Sequence, residues 1–212
     1  MRFLVVALTS LLATSAWADS SFYVGGGFGV TRIAQDQTLF DTDQPGVVVE
    51  GLNFDKDETG YQLFGGYEIS PRWAVELGYI DFGDAGDKAD VTFAQPPGSS
   101  LPPPPRITDG AELDFAFDGI YINGQYHIPV SDYGSLDLIG GWIFADSRAQ
   151  GRILDQNFSD SSSDGGVMAG VAFTLKTTDT IYLRFSGTYF QIDFDDVLDE
   201  PLRAGVDVIW DF

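Results

Sequence analysis

Apolar and polar residues alternate along most of this chain with a period of two, the spacing of a strand that has one face in oil and one face in a polar setting. The last segment is the clearest case. From Leu202 to Phe212, one face carries Leu202, Ala204, Val206, Val208, Trp210 and Phe212, and the other Arg203, Gly205, Asp207, Ile209 and Asp211. Seven further segments read the same way: Phe22–Thr31, Thr59–Ile69, Trp73–Phe82, Ala111–Ile128, Ser135–Ala145, Gly165–Lys176 and Thr180–Phe190. Their apolar faces include Val24, Phe28 and Val30; Tyr61, Leu63, Tyr67 and Ile69; Trp73, Val75, Leu77 and Tyr79; and Ile120, Ile122, Tyr126 and Ile128. Leu136, Leu138, Trp142 and Phe144, then Val167, Val171, Phe173 and Leu175, then Ile181, Leu183, Phe185 and Tyr189 continue the set. None of these is charged, as a lipid-facing band requires. A soluble lipocalin-like binder would also alternate, so the pattern leaves that alternative open.

The connections separate the two. Ser70–Arg72, Pro129–Gly134 and Thr177–Asp179 are short, whereas Arg32–Glu58, Gly83–Gly110 and Asp146–Asp164 are long, with Gln191–Pro201 in between. Short turns on one side and long loops on the other are the rhythm of a transmembrane barrel. All ten prolines fall in these connections, as expected where no strand has a free edge to tolerate a missing donor. The reading is an all-β, eight-stranded, antiparallel up-and-down transmembrane β-barrel. One stretch breaks parity. Leu113, Phe115 and Phe117 are out of phase with Ile120 and Ile122, which calls for a bulge near Asp118-Gly119 or for placing them above the membrane.

The opposite faces are polar: Gln62, Glu68, Glu76, Asn123, Gln125, His127, Asp137, Lys176, Tyr182, Arg184, Ser186, Arg203, Asp207 and Asp211, interspersed with glycine. An eight-stranded barrel is just wide enough for side chains to fill it, and charges confined there must pair. Counting from the short turns puts Glu76, Arg184 and Asp207 at similar depth, so these three are expected to form an ion cluster in the lumen.

Export fits this picture. Met1-Arg2, the apolar run Phe3 to Ala13 and the Ala16-Trp17-Ala18 cleavage pattern predict a signal peptide over residues 1–18 and a barrel over 19–212. The apolar run is too short for a membrane-spanning helix. With no cysteine there is no disulfide framework. A net charge of −21 argues against nucleic acid as a partner. Twenty-five glycines and 14% aromatics suit a tight barrel with interfacial belts.

The run Gly60-Tyr61-Gln62-Leu63-Phe64-Gly65-Gly66-Tyr67-Glu68-Ile69-Ser70-Pro71-Arg72-Trp73-Ala74-Val75-Glu76-Leu77-Gly78-Tyr79 resembles the second hairpin of OmpA-like eight-stranded outer-membrane β-barrel proteins. Gly25 to Gly29 and Asp207 to Phe212 are similar to the opening and closing strands of that family. The resemblance implies a cell outer membrane location in a Gram-negative bacterium, outer-membrane lipid and lipopolysaccharide as surroundings, a lumen-facing Glu76, and a monomer. It further implies that Phe212, a terminal aromatic, is the signal read by the barrel assembly machinery. A barrel alone is expected, with no peptidoglycan-binding domain. The role it implies is structural or a surface interaction through extracellular loops; a small-solute porin-like channel is the alternative.

No catalytic site, cofactor or metal site is expected. His127 is the only histidine, and with Ser131 it is the sole pair that could serve as a base and nucleophile, as in barrels that modify lipid A. Parity puts His127 in the lumen near the short-turn end, where a structural hydrogen bond is the simpler role. Acidic residues crowd the last loop (Asp193, Asp195, Asp196, Asp199, Glu200) and the first (Asp36, Asp41, Asp43, Glu50, Asp55, Asp57, Glu58). They could supply calcium oxygens but lack the frame of an EF-hand, so solvated surface is expected. The stretch from Gln95 to Pro105 favours polyproline II and reads as a stiff loop.

Overall fold

The computed structural model describes residues 21–33, 47–50, 56–93, 107–153, 156–192 and 201–212. The signal-peptide expectation, most of the acidic loop residues and the proline-rich stretch lie outside them. The described strands are β1 (Phe22–Ile33), β2 (Val47–Glu50), β3 (Lys56–Ser70), β4 (Trp73–Phe93), β5 (Ile107–Ser131), β6 (Gly134–Ile153), β7 (Gln156–Lys176), β8 (Ile181–Gln191) and β9 (Leu202–Asp211). All pairings are antiparallel. Eight strands run in the order β4-β3-β1-β9-β8-β7-β6-β5, and β5 pairs back to β4, so the sheet closes on itself. Among the described residues no helix is long and apolar enough to cross a membrane; the barrel crosses with strands.

Pairing around the barrel leads from Phe22 through Tyr67, Val75, Gly124, Gly140, Ala169, Tyr189 and Leu202 back to Arg32. The path returns ten residues further along β1, and a stagger of this size accompanies a strand tilt of roughly 35–45°. The narrow interior follows from eight strands at that tilt. Alternation then decides what enters it. Glu76, Asn123, Asp137, Arg184 and Asp207 are buried, while their neighbours Leu77, Ile122, Leu138, Phe185 and Val206 are exposed on the outside. Every member of the lipid-facing set given above lies on the outer surface, intermediate or exposed.

Aromatic residues mark both margins of that surface. Phe22, Tyr67, Trp73, Tyr126 and Trp210 sit at the short-turn ends of their strands, with rings paired at 4.7 Å (Phe22–Tyr67) and 4.9 Å (Trp73–Tyr126). Phe28, Tyr61, Tyr79, Trp142 and Phe144 lie toward the other margin. Such amphipathic rings favour the headgroup level, with the aliphatic band of Val24, Leu77, Ile122, Leu138 and Val206 between them.

The structure corrects four sequence expectations. First, much of Gly83–Gly110 and nearly all of Asp146–Asp164 is strand, not loop: β4 and β5 pair as far as Val91↔Ile107, and β6 and β7 as far as Ile153↔Gln156. Above the membrane both faces of a strand meet water, so the ladder continues while the apolar alternation that marks it disappears. Four strands therefore rise above the others as a one-sided extension, and β2 adds to it along β4. Second, the parity break is not a bulge in β5: that strand pairs with β6 without interruption from Ala111 to Pro129, so Phe115 and Phe117 keep the inward phase of Tyr121 and Asn123, and the register shift lies in β4 instead. Asp81 pairs with Asp118 and Gly83 with Phe117, leaving Phe82 extra; Gly83 adopts φ +97°, open to glycine at little cost, and its N–H donates to Asp81 Oδ1 at 2.8 Å. Third, Pro129 lies inside β5, opposite Ser135 and next to a register shift at the strand end, where a missing donor is tolerated. Fourth, the inward face is not polar throughout, as the next section shows.

Candidate functional site

The interior has three zones. At the short-turn mouth, Asp137 gathers its neighbours: His127 Nδ1 lies 2.7 Å from Asp137 Oδ1, Ser135 Oγ donates to the same oxygen at 2.7 Å, and Thr174 donates to Oδ2. His127 and Asp137 face each other across β5–β6, so the strand register itself creates the contact. His127 lines, with Glu68, Lys176, Tyr182 and Asp211, a pocket of about 280 Å³. Ser131 also lines it, but its Oγ accepts from the N–H of Tyr133 within the turn at 3.2 Å. Among the described residues no hydrogen bond joins His127 to Ser131, and His127 Nε2 has no partner.

The middle zone brings Glu76, Arg184 and Asp207 together. Arg184 Nη1 donates to Glu76 Oε2 at 2.8 Å, and Arg184 Nε to Asp207 Oδ2 at 3.1 Å. Arg184 reaches Asp207 because the two pair directly across β8–β9; Glu76 comes from the opposite wall. The remaining lone pairs are taken. Gln62 Nε2 donates to Asp207 Oδ1 at 2.6 Å, and Tyr121 Oη and Gln125 Nε2 donate to Glu76, each at 2.9 Å. The Arg184 Cζ also lies 4.3 Å from the Phe64 ring centroid. This is how charges survive burial: fully hydrogen-bonded and cross-paired. Tyr121 and Phe64 were not anticipated as members, although their parity matches that of Asn123 and Gln62.

Above the ion cluster the lumen turns apolar. Ile80, Phe82, Phe117, Ile143, Ala145, Met168, Phe190 and Ile192 are buried in one cluster that also includes Phe115. Phe82 meets Phe190 edge-on, with centroids 5.0 Å apart and planes at 88°, a favoured aromatic geometry. The bulge in β4 turns both Phe82 and Gly83 to the inner side. Phe115 and Phe117, which broke the parity, point inward with Tyr121 and Asn123. The sequence held the signal, because Ile80, Ile143, Met168 and Phe190 share parity with the polar inward residues.

Outside, the apolar surface ends abruptly on the extension. The row Tyr79–Ile120–Phe144 is followed by Asp81–Asp118–Asp146. Arg148 lies two residues beyond Asp146 and pairs with Asp118 at 3.0 Å. Among the described residues no group of three or more histidine, aspartate or glutamate side chains is placed to hold a metal ion.

An apolar exterior between two aromatic margins, over a filled polar and ionic interior, is the construction of an outer-membrane barrel, and comparison with known proteins agrees. The chain is similar in fold to the attachment invasion locus protein Ail of Yersinia pestis, with 17% identity, 91% of this chain and 99% of that chain covered, and a TM-score of 0.54. Neisserial surface protein A is similar at 13% identity, with 90% and 97% covered and a TM-score of 0.53. A major outer membrane protein of Thermus thermophilus gives 11% identity, 92% and 100% covered, and a TM-score of 0.55. No curated protein matches the chain in sequence. The profile of the family described as "Outer membrane protein beta-barrel domain" matches residues 3–210, so this chain belongs to that family and to the bacterial outer membrane.

Proposed function

We propose that this protein works from its outer surface, as a sealed, monomeric scaffold that presents the β4–β7 extension and the loops joined to it. The observation that carries this reading is the filled lumen. A solute on its way through would have to displace the Arg184–Glu76–Asp207 network and then the Phe82–Phe190 cap. The extension, by contrast, offers a broad polar sheet above the lipid, and loops on rigid scaffolds commonly carry binding.

The partner fitting this surface is cationic, or is a phosphate surface reached through divalent ions, as lipopolysaccharide provides. Ail has been captured with the heparin analogue sucrose octasulfate, but a chain of net charge −21 is repelled at long range by such a polyanion. Binding of barrels in nanodiscs to polylysine-coated and heparin-coated surfaces, across a salt series, tests this. The expected result is salt-sensitive retention on polylysine and none on heparin. Retention on heparin, or steady conductance steps in planar bilayers, would overturn it; the latter favours the channel reading.

A further inference from the structure

The β4–β7 extension has one bare flank. β7 keeps its partner β6 as far as Ile153↔Gln156, but its pairing with β8 ends at Val167↔Gln191. Residues 156–166 of β7 therefore form an edge among the described strands, whereas β2 covers part of β4 on the opposite flank. Asn157, Ser159, Asp160, Ser161 and Ser163 are all exposed there. Open edges of this length invite a further strand.

Parity tells which N–H groups face outward. Phe190 N donates to Pro201 O on the β9 side, so the next residue, Gln191, faces β7, and Val167 opposite it faces β8. The same direction recurs at every second residue of β7. Beyond Val167 the outward N–H groups are thus those of Gly165, Ser163, Ser161, Ser159 and Asn157. Two of them are already taken. Ser161 N donates to Asp160 Oδ1 at 2.9 Å, and Gly165 N donates to Asp164 Oδ1 at 2.6 Å. An incoming strand would have to bring its carbonyl oxygens to these donors, and would meet a carboxylate at each.

The edge fits a second copy of itself. With Ser161 opposite Ser161 in an antiparallel pair, Ser159 meets Ser163 and Asn157 meets Gly165, and every one of these residues has its N–H on the shared side. A two-fold pairing of this kind uses the same patch in both copies. It requires the N–H groups of Ser161 and Gly165, the two that the aspartates hold.

We propose that Asp160 and Asp164 guard this edge, keeping it closed to a second copy of the chain. Each carboxylate caps one donor that the pairing needs. Two copies in one membrane point the same way, so the pairing they prevent is between barrels that face each other. This role is independent of the cationic partner proposed above.

The test compares the full barrel in detergent micelles as wild type, as Asp160→Ala with Asp164→Ala, and as Asp160→Asn with Asp164→Asn, by sedimentation velocity across a protein-concentration series. Wild type and the Asn pair, whose side-chain oxygens still cap, should stay monomeric, and the Ala pair should dimerise. Adding Ser161→Pro, which removes the central donor, should return the Ala pair to monomer. A dimeric wild type, a monomeric Ala pair, an Asn pair that associates equally, or a dimer that survives Ser161→Pro would each overturn the proposal. Amide exchange in the wild type gives a reading that needs no variant. The N–H groups of Ser161 and Gly165 should exchange about tenfold more slowly than those of Ser159 and Ser163, after correction for local sequence. Equal rates would overturn the caps.

Discussion

Arg184 and Glu76 are 108 residues apart in sequence, yet Arg184 Nη1 donates to Glu76 Oε2 at 2.8 Å across the centre of the barrel. Neither has water to fall back on. Replacing Arg184 with Leu strands two carboxylates, and removing one partner of a buried pair costs roughly 3–5 kcal/mol. The temperature at which the unboiled, fast-migrating form disappears on gels should fall. A double change, Arg184→Leu with Glu76→Gln, should recover part of the loss, because one stranded charge is also removed. An unchanged transition in the single variant would refute the structural weight given to the pair.

Leu77 sits on the outer face between the two aromatic margins and is 58% exposed. In a bilayer that exposure is to acyl chains. Leu77→Arg should therefore destabilise the inserted barrel by about 2–4 kcal/mol, measured by urea unfolding in lipid vesicles. The same substitution in a water-exposed strand would cost almost nothing. A neutral result would mean that the outer surface is not lipid-facing.

The apolar cap makes a separate prediction. Phe82→Ala and Phe190→Ala should each destabilise by up to about 3–5 kcal/mol. Neither should create single-channel conductance, because the Arg184 network below still fills the cross-section. Conductance steps appearing on loss of the cap would show that the ionic layer alone does not seal the lumen.

Phe212 N donates to Phe22 O at 3.1 Å, and the Phe212 ring stacks with Trp210 at 6.0 Å with planes 4° apart. These contacts are local and modest. If Phe212 also serves as the assembly signal, Phe212→Asp should cut insertion in cells far more than it lowers stability of barrel refolded in detergent. Equal losses in both assays would make its role purely structural.

How far the sequence carried depended on where the membrane was. Within it, lipid outside and packed lumen inside impose opposite requirements on successive residues, so Val206 and Asp207, or Leu77 and Glu76, announce their faces. Beyond the second aromatic margin that contrast vanishes. Ser159 to Ser163 and Asp146 to Gln150 belong to a paired ladder but read as loop, since water is acceptable on both sides. The ion cluster was legible because charge is scarce in such a lumen. The cap was harder to see, because Ile80, Met168 and Phe190 look like lipid-facing residues until their phase is counted. Arg203 was counted as inward, but its neighbours' identities do not reveal that its Nε and Nη2 go without a hydrogen-bond partner among the described residues; that is visible only once the partners of Asp207 are known.

The seam between β1 and β9 has a kinetic consequence. Each of the other junctions among the eight barrel strands joins consecutive barrel strands, so those hairpins can zip locally. Tyr23 and Asp211, however, pair across nearly the whole chain, and no amount of early hairpin formation brings them together. Closure is therefore the event of highest contact order and should be the slowest step. Until it occurs, β1 and β9 each keep an open edge to which another chain can add. Time spent in that state, rather than the stability of the finished barrel, should govern how much of the protein is lost to aggregation before it reaches its membrane.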